Sequence, residues 1–327
     1  MKFKNSYTVI GKQIGMKYFK FYGGIKLKKF DGIIYALLSS AAFGIMPIFA
    51  KYAYNHGSNT LTVLSSRFLF SALILFLYFM FKGISLKLNK NQTITLILVS
   101  IFGYSSTATM LFFSYNYISL GLATTLHFVY PVVVVVANRI IFKEPLTKNK
   151  VIALTLSMLS IYLLVGFKVE NINFLGISLA LLSGFTHSIS IIGMNRPELK
   201  ELDNKICVFY FSIISGTIIF LITLLSGNLQ LDVNLYTVMS MTGISTVSTI
   251  LAIVLLMKAI KIIGPSPSAI LGTFEPIVSI ILGIILFGEA ITLTIVIGTI
   301  LILASVVILA KENTKENNIN NEKPVSL

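Results

Sequence analysis

The segment GLATTLHFVYP (residues 121–131), followed by FKEPLT (142–147), decides the fold, because the chain contains a second version of it. The second version reads GPSPSAILGTFEP (264–276), followed by FGEAIT (287–292). From the proline onward the displacement is constant, since 276 minus 131 and 292 minus 147 both equal 145. A proline, a phenylalanine, a glutamate and a threonine therefore recur at matched positions, which indicates that one structural unit is used twice.

The composition places this repeated unit in a membrane. Only 12% of the 327 residues are charged, 55% are hydrophobic and the mean hydropathy is +0.88, whereas soluble domains contain about 25% charged residues. In a soluble protein the formal net charge of +14 would suggest a nucleic-acid partner. Here the Lys and Arg residues fall between apolar segments, so a lipid bilayer explains them better and we expect no nucleic-acid partner.

Ten segments are long and apolar enough to cross the hydrocarbon core, which takes about 20 residues of helix. Helices are expected because lipid offers no water to backbone polar groups. The predicted fold class is therefore an all-α integral membrane protein, with ten transmembrane helices in two inverted five-helix repeats. The segments run from Gly32 to Tyr54, Thr60 to Phe81, Ile94 to Tyr115, Gly121 to Phe142, Val151 to Phe167, Phe174 to Met194, Ile206 to Ser226, Leu235 to Met257, Pro265 to Phe287 and Ile291 to Ala310.

The basic residues orient these helices. With the N-terminus inside, 23 of the 26 Lys and Arg residues lie on the cytoplasmic side, Lys51 and Lys168 lie outside, and Arg67 lies within a span. This asymmetry predicts a multi-pass protein of the cell membrane with both termini in the cytoplasm. The expected organisation is a basic tail over 1–31, one repeat over 32–167, a second repeat over 168–310 and a polar, disordered tail over 311–327.

Five helices per repeat is an odd number, so the second repeat enters the membrane in the opposite sense. The charges agree, because KEPLTKNK (143–150) is basic and predicted inside, whereas the matching GEAIT (288–292) has no Lys or Arg and is predicted outside. Inverted repeats of this kind are typical of secondary transporters, whose binding site lies near the bilayer midplane where the repeats meet.

Two further motifs, GIMPIFAK (44–51) and RFLFSA (67–72), complete a resemblance to a known family. Together with the two Gly-Pro-Glu blocks they resemble the EamA family of the drug/metabolite transporter superfamily, over residues 32–310. The resemblance implies a transporter of small organic metabolites, with amino acids or related amphipathic compounds as solutes and export as the direction. The departures from the family pattern are Phe43 in place of a frequent Trp, and Glu144-Pro145 and Glu289-Ala290 in place of the usual Glu-Arg.

Four ionisable residues lie within the predicted spans, where charges are costly and therefore mark candidate sites: Arg67, His127, His187 and Glu275. Arg67 either attracts a carboxylate or extends towards the membrane surface and neighbouring carbonyls. Glu275 either binds an ammonium group or a proton, or stays neutral in a hydrogen bond between helices. The two histidines, which titrate near neutral pH in water, either relay protons or simply join helices. The sequence leaves each of these alternatives open.

Four more residues join this candidate site. Tyr104, Ser183 and Thr249 lie on polar stripes with helical spacing in the third, sixth and eighth spans. Tyr104 and Tyr130 either pack against an apolar solute or fill the bundle. Stripes of small residues also occur where membrane helices only pack together, so the stripes alone do not require a solute.

Three prolines within the spans, Pro47, Pro131 and Pro276, are candidate hinges. Proline cannot donate a backbone hydrogen bond, so a kink is predicted beside Glu275. The resulting hypothesis is alternating access, in which the two halves rock around a site near Glu275, His187 and Tyr104. Coupling to protons and simple facilitated diffusion both remain open.

The sequence contains no enzyme signature. It lacks the phosphate-cradling GxxxxGK[ST] motif, the Gly-x-Ser-x-Gly nucleophile elbow and clustered His or Cys ligands, and its lone cysteine, Cys207, excludes an intramolecular disulfide. We therefore expect no enzymatic activity, no cofactor and no metal. The expected partners are a small-molecule solute and the lipid bilayer, with protons and a homodimer left open. The competing interpretations are a membrane enzyme that acts on lipid-linked substrates and a non-transporting sensory or interaction protein.

Overall fold

The computed structural model describes residues 29–114, 116–118, 120–165, 173–230, 234–287 and 291–322. Within these residues all regular structure is helical, as the sequence predicts. Lys168, the Glu289-Ala290 pair and most of the predicted basic tail lie outside the described residues.

Ten long helices follow one another in the predicted order. Nine of them are long and apolar enough to cross a membrane within the described residues, and the described part of the tenth, α5, ends at Val165. The helices are α1 (Lys29–Asn55), α2 (Thr60–Lys82), α3 (Lys90–Ser114), α4 (Leu120–His127 and Tyr130–Ile141), α5 (Lys148–Val165), α6 (Phe174–Met194), α7 (Asn204–Leu225), α8 (Leu235–Ile263), α9 (Pro265–Gly272 and Glu275–Phe287) and α10 (Leu293–Glu322).

Helix α10 is longer than the sequence suggests. A disordered tail is predicted from Lys311, whereas the helix continues to Glu322. The physical reason is that extending a helix adds a hydrogen bond for each residue fixed, while the unfavourable nucleation step has already been completed in the membrane-spanning part. A polar composition therefore does not end this helix where the apolar segment ends.

The outer surface of the bundle is apolar. Phe81, Phe174 and Leu225 are among many large hydrophobic side chains that are mostly exposed. Monomeric soluble proteins rarely expose contiguous apolar surface on this scale, so these faces are the ones expected to contact lipid.

Asparagine residues start the third helix of each half at matched positions. The Asn89 side chain accepts a hydrogen bond from the Gln92 backbone N–H, and the Gln92 side chain accepts one from the Asn89 backbone N–H. This capping box begins α3. At the start of α8 the Asn234 side chain accepts a hydrogen bond from the Thr237 backbone N–H (2.8 Å). Because 234 minus 89 is also 145, the displacement found in the sequence extends back to these helix starts.

Helices α4 and α9 are each interrupted just before their proline, at residues 128–129 and 273–274. Pro131 and Pro276 have no N–H to donate to the carbonyl four residues earlier, so an α-helical hydrogen bond is missing in each helix. The two interruptions are again 145 residues apart. Helix α1 is interrupted in a similar way at Ile45, shortly before its own proline.

Helices α3 and α8 share a rarer feature. Each contains a π-helical segment, Val99–Ser105 in α3 and Thr246–Leu251 in α8, in which hydrogen bonds join residues five apart. Tyr104 and Thr249 lie in these segments at positions that are themselves 145 apart. A wide turn of this kind shifts the phase of the helix, so a periodicity of 3.6 residues does not carry across it.

The two halves pack as inverted copies. Helix α1 contacts α8 and α9 of the other half, α6 contacts α3 and α4, α2 packs against α7, and α5 packs against α10. Gly44 of α1 lies against the interruption of α9, where a Cβ would be 2.7 Å from the Glu275 carbonyl oxygen. Gly184 of α6 lies against the interruption of α4, where a Cβ would be 2.6 Å from the His127 carbonyl oxygen. Each broken helix is therefore in close contact, at its break, with a glycine of the opposite half.

Candidate functional site

A cavity of about 190 Å³ lies between the interruptions of α4 and α9. It is lined by side chains from both halves of the chain, and six of the eight residues predicted for the site are among them. These six are Arg67, Tyr104, His127, Tyr130, His187 and Glu275. The other two, Ser183 and Thr249, are fully buried and do not line the cavity, but each contacts a residue that does.

Arg67 is held in place by two partners. Its Nε donates a hydrogen bond to Thr249 Oγ1 (2.9 Å), and its Nη1 lies 2.9 Å from Met46 Sδ. The Thr249 hydroxyl donates its own proton to the Ile244 carbonyl, five residues earlier (3.1 Å), which leaves a lone pair for Arg67. The π-helical segment of α8 thus positions the acceptor for the guanidinium. The centroid of the Phe68 ring lies 5.0 Å from the guanidinium carbon, within the range of a cation–π contact.

Glu275 begins the second half of α9. A carboxylate in the first turn of a helix is stabilised by the unpaired N–H groups and the dipole at that end. Within the described residues the Glu275 carboxylate forms no ion pair, since the recorded pairs are Lys150 with Glu144 and Arg196 with Glu198. Among the described residues, Glu275 is the one acid that lines the cavity, and Arg67, which also lines it, forms no ion pair with it.

His127, His187 and Tyr130 form an aromatic cluster on one wall of the cavity. The ring centroids of the two histidines are 5.3 Å apart, and those of Tyr130 and His187 are 4.7 Å apart. The Ser183 hydroxyl donates to the Ala180 carbonyl (2.6 Å) and lies 2.9 Å from His127 Nδ1. Because the hydroxyl has one proton, His127 Nδ1 is the donor of the second bond, which leaves Nε2 as an acceptor in the neutral ring.

Tyr104 is fixed by packing. Its ring stacks on Phe211, with centroids 5.0 Å apart, and its hydroxyl lies 4.0 Å from Met194 Sδ. The polar end of Tyr104 therefore has only a weak sulfur partner in the described residues. This leaves the hydroxyl able to bond to a solute in the cavity.

A second space of about 560 Å³, here called the vestibule, lies beside the cavity. It reaches the exposed residues Lys51 and Tyr54 at the end of α1 that the charges place outside. The residues that line both spaces are Met46, Pro47, Arg67, Phe112 and Thr124. A solute in the vestibule would therefore meet Arg67 before it meets Glu275, which lines the cavity only.

A polar network joins the two halves at the opposite end, which the charges place in the cytoplasm. Glu144 accepts a hydrogen bond from Ser266 Oγ of α9 (2.7 Å) and forms an ion pair with Lys150 of α5 (3.0 Å). Asn138 of α4 donates to Ser266 Oγ (3.3 Å). Since Asn138, Lys150 and Ser266 are buried, this network is an interior contact between the halves.

Sequence reasoning missed several lining residues because they carry no charge. Met46 lies in the GIMPIFAK motif and Thr124 in the repeated segment GLATTLHFVYP, but neither residue is itself a predicted site residue, and Phe112 lies in no motif. In the sequence, Glu144 belongs to the repeat and departs from the family pattern, but neither property predicts its hydrogen bond to Ser266. In the described residues no three His, Cys, Asp or Glu side chains come together as a metal site would require.

Known proteins resemble this chain in two ways, through a sequence family and through a solved structure. The model of the EamA-like transporter family matches residues 30–166 and 174–311, one match in each half of the chain. A solved structure described only as "Crystal structure of protein" is similar with a TM-score of 0.74 at 12% sequence identity, over 90% of this chain and 98% of that chain. At that identity the likeness shows the fold alone. No curated protein matches the chain.

Proposed function

Since the chain belongs to the EamA-like transporter family, we propose that it carries small organic solutes across the cell membrane by alternating access. Family membership makes it a membrane transporter of small solutes. The proposal adds the solute class, amino acids or related amphipathic compounds, the direction, which is export, and the mechanism. It also adds the orientation with both termini in the cytoplasm, which rests on the distribution of Lys and Arg.

One observation carries this proposal. A cavity that contains the membrane-embedded charges lies where the two inverted halves meet, and this is where inverted-repeat transporters bind their solutes. The vestibule adjoins it on one side, while the network around Glu144 and Ser266 holds the halves together at the other end. These features suit an outward-facing state of an alternating-access cycle.

The interruptions of α1, α4 and α9 are the proposed hinges. At each one, Pro47, Pro131 or Pro276 removes a backbone hydrogen bond, so the two parts of the helix bend relative to each other at lower cost than in an intact helix. Rocking of the halves would separate Glu144 from Ser266 and open the cavity to the cytoplasm. Glu275 and His187 are the groups through which a proton would be coupled, and without such coupling the same motion supports facilitated diffusion.

The proposal is tested with purified protein in liposomes. We expect saturable, counterflow-stimulated uptake of at least one member of a panel of amino acids, drugs and nucleosides, well above uptake by empty liposomes. A gradient of pH imposed across the membrane then separates proton coupling, which drives accumulation, from facilitated diffusion, which only equilibrates the solute. Failure of every compound in the panel to enter faster than in empty liposomes would contradict the proposal.

Removing His187 is expected to reduce this uptake about tenfold or more, which corresponds to roughly 1.4 kcal/mol of lost transition-state stabilisation. The His187 ring lines the cavity against Tyr130, so His187→Ala removes a polar wall of the proposed path. His56→Ala is the matched control, because His56 lies near the outer end of α1 and contacts Tyr52 and Tyr236, away from the cavity. Equal uptake by both variants would show that the wall formed by His187 is not part of the path.

A further inference from the structure

The charges in the cavity are an unusual pair. Among the described residues that line it, Arg67 is the one basic Lys or Arg side chain and Glu275 is the one carboxyl group. Each helix could have carried a neutral residue instead, at lower cost in a membrane. Two opposite charges that face one small space ordinarily form an ion pair, but the described residues show none between these two.

The surroundings of Arg67 explain why the pair stays open. Thr249 Oγ1 and Met46 Sδ engage Nε and Nη1 and hold the guanidinium on the vestibule side of the cavity. Arginine has further N–H donors, and those of Nη2 have no protein partner in the described residues. The guanidinium is thus fixed with a free edge, which is the geometry that a carboxylate binds through two parallel hydrogen bonds.

Glu275 provides the complementary end. Its carboxylate lies at the start of the second half of α9, and Gly44 of α1 fixes the backbone there by close contact with the Glu275 carbonyl oxygen. Such a carboxylate has acceptor sites for an ammonium group, and within the described residues Arg67, the basic side chain that lines the cavity, forms no ion pair with it. The solute therefore supplies both the anionic group for Arg67 and the cationic group for Glu275.

The remaining walls and the volume limit the solute further. Phe43, Leu111, Ile191 and Leu256 contribute apolar surface to the cavity. The volume of about 190 Å³ is smaller than the roughly 300–1,000 Å³ of pockets that hold drug-sized ligands. A small solute with an apolar side chain fits these dimensions.

We infer that the cavity binds a small zwitterion, with its carboxylate on Arg67 towards the vestibule, its ammonium group on Glu275, and an apolar side chain between them. This inference rests on the proposed transport function and narrows its solute class. A solute with only a carboxylate meets the like charge of Glu275, and a solute with only an ammonium group meets that of Arg67. Each singly charged analogue therefore loses one attraction and gains one repulsion.

Binding to the purified protein tests the inference separately from transport. The standard amino acids are first compared by the rise in melting temperature that each produces, and the strongest ligand is then compared with its methyl ester, which lacks the carboxylate charge, and its desamino acid, which lacks the ammonium group. We expect each analogue to bind at least tenfold more weakly, as expected for the loss of one charge-assisted hydrogen bond.

Variants of Glu275 and Arg67 test whether these residues contact the solute, because loss of a purely structural residue would weaken the binding of all analogues alike. Glu275→Gln should lower the ratio of the affinity for the amino acid to the affinity for its desamino acid by about tenfold. Arg67→Gln should lower the corresponding ratio for the methyl ester by about tenfold. Glu201→Gln and Arg196→Gln, which remove exposed charges near the short helix Pro197–Lys200, should change neither ratio.

The outcomes separate the two proposals. The inference is overturned if no amino acid raises the melting temperature with increasing concentration, or if the wild-type protein binds an amino acid and its singly charged analogues equally well. The analogue series on the wild-type protein gives this answer even if a variant does not fold. Zwitterion binding without transport of any compound into liposomes would instead overturn the proposed function and leave the inference standing.

Discussion

Modification of an Ala108→Cys variant with a bulky thiol reagent is expected to reduce transport to the rate of empty liposomes. Ala108 lines the cavity from α3, beside Thr107 and Leu111. The reagent reaches it through the vestibule, which shares five lining residues with the cavity. A group that fills a space of about 190 Å³ leaves no room for a solute. Uptake is measured before and after labelling, so any effect of the substitution itself is subtracted.

The control for this experiment is Ser226→Cys, which places a cysteine on an exposed residue at the end of α7. Both variants are made in a Cys207→Ala background, because Cys207 is the one native cysteine. Labelling at position 226 should leave uptake unchanged. Full labelling at position 108 with undiminished uptake would show that the solute does not pass through this cavity.

Valine at Gly44 or at Gly184 is expected to prevent correct assembly of the two halves. Even an alanine Cβ would lie 2.7 Å from the Glu275 carbonyl oxygen at the first position and 2.6 Å from the His127 carbonyl oxygen at the second. Backbone oxygens at a helix interruption cannot move away as a flexible side chain can. We expect alanine to cost about 1–3 kcal/mol, which corresponds to roughly 1.5 to 4.5 °C in melting temperature for a chain of this length, and valine to abolish the monodisperse folded protein.

The matched control is Gly216→Ala in α7. Its Cβ would lie 3.0 Å from Leu69 Cδ2 and 3.1 Å from Phe68 Cβ, so its nearest neighbours are side-chain atoms at longer distances than the carbonyl oxygens at Gly44 and Gly184, and we expect a smaller cost. Size-exclusion profiles and melting curves in detergent compare the three positions. If Gly44→Val and Gly184→Val fold and melt like the wild-type protein, the close contact between each broken helix and the opposite half is wrong.

The sequence allowed the architecture to be predicted because its signals are local and repeated. The apolar segments specify the helices, and the displacement of 145 residues from Pro131 to Pro276 specifies the duplication. The same displacement recurs in the structure at the capping residues Asn89 and Asn234 and in the interruptions of α4 and α9. A repeat that is visible in a few residues thus predicts helix ends and breaks that no single propensity indicates.

The candidate residues were most easily predicted where a side chain is costly in a membrane, although Tyr104 and Tyr130, which carry no charge, also line the cavity. Arg67, His187 and Glu275 are conspicuous in apolar segments, and all three line the cavity. Thr249 was placed with the lining residues because its stripe assumed 3.6 residues per turn, whereas the π-helical segment of α8 changes the phase and brings it to Arg67 instead. No local sequence pattern indicates the hydrogen bond between Arg67 and Thr249, because these residues are 182 positions apart in the chain.

The network at the predicted cytoplasmic end was beyond sequence reasoning for another reason. Glu144 and Ser266 are ordinary polar residues at helix ends, where solvent exposure is the usual expectation. Their hydrogen bond depends on α4 and α9 being in contact, which is a property of how the inverted halves pack. Only the three-dimensional arrangement distinguishes this interior contact from a solvated one.

For a solute to cross the membrane, the two halves must separate at the end that contains Glu144 and Ser266. A cysteine pair, Asn138→Cys with Ser266→Cys in the Cys207→Ala background, tests it directly, because the two native side chains are already hydrogen-bonded across the contact between α4 and α9. Oxidation should stop uptake and a reductant should restore it, while each single-cysteine variant stays active under both treatments. Uptake at the full rate by quantitatively cross-linked protein would contradict alternating access between these halves.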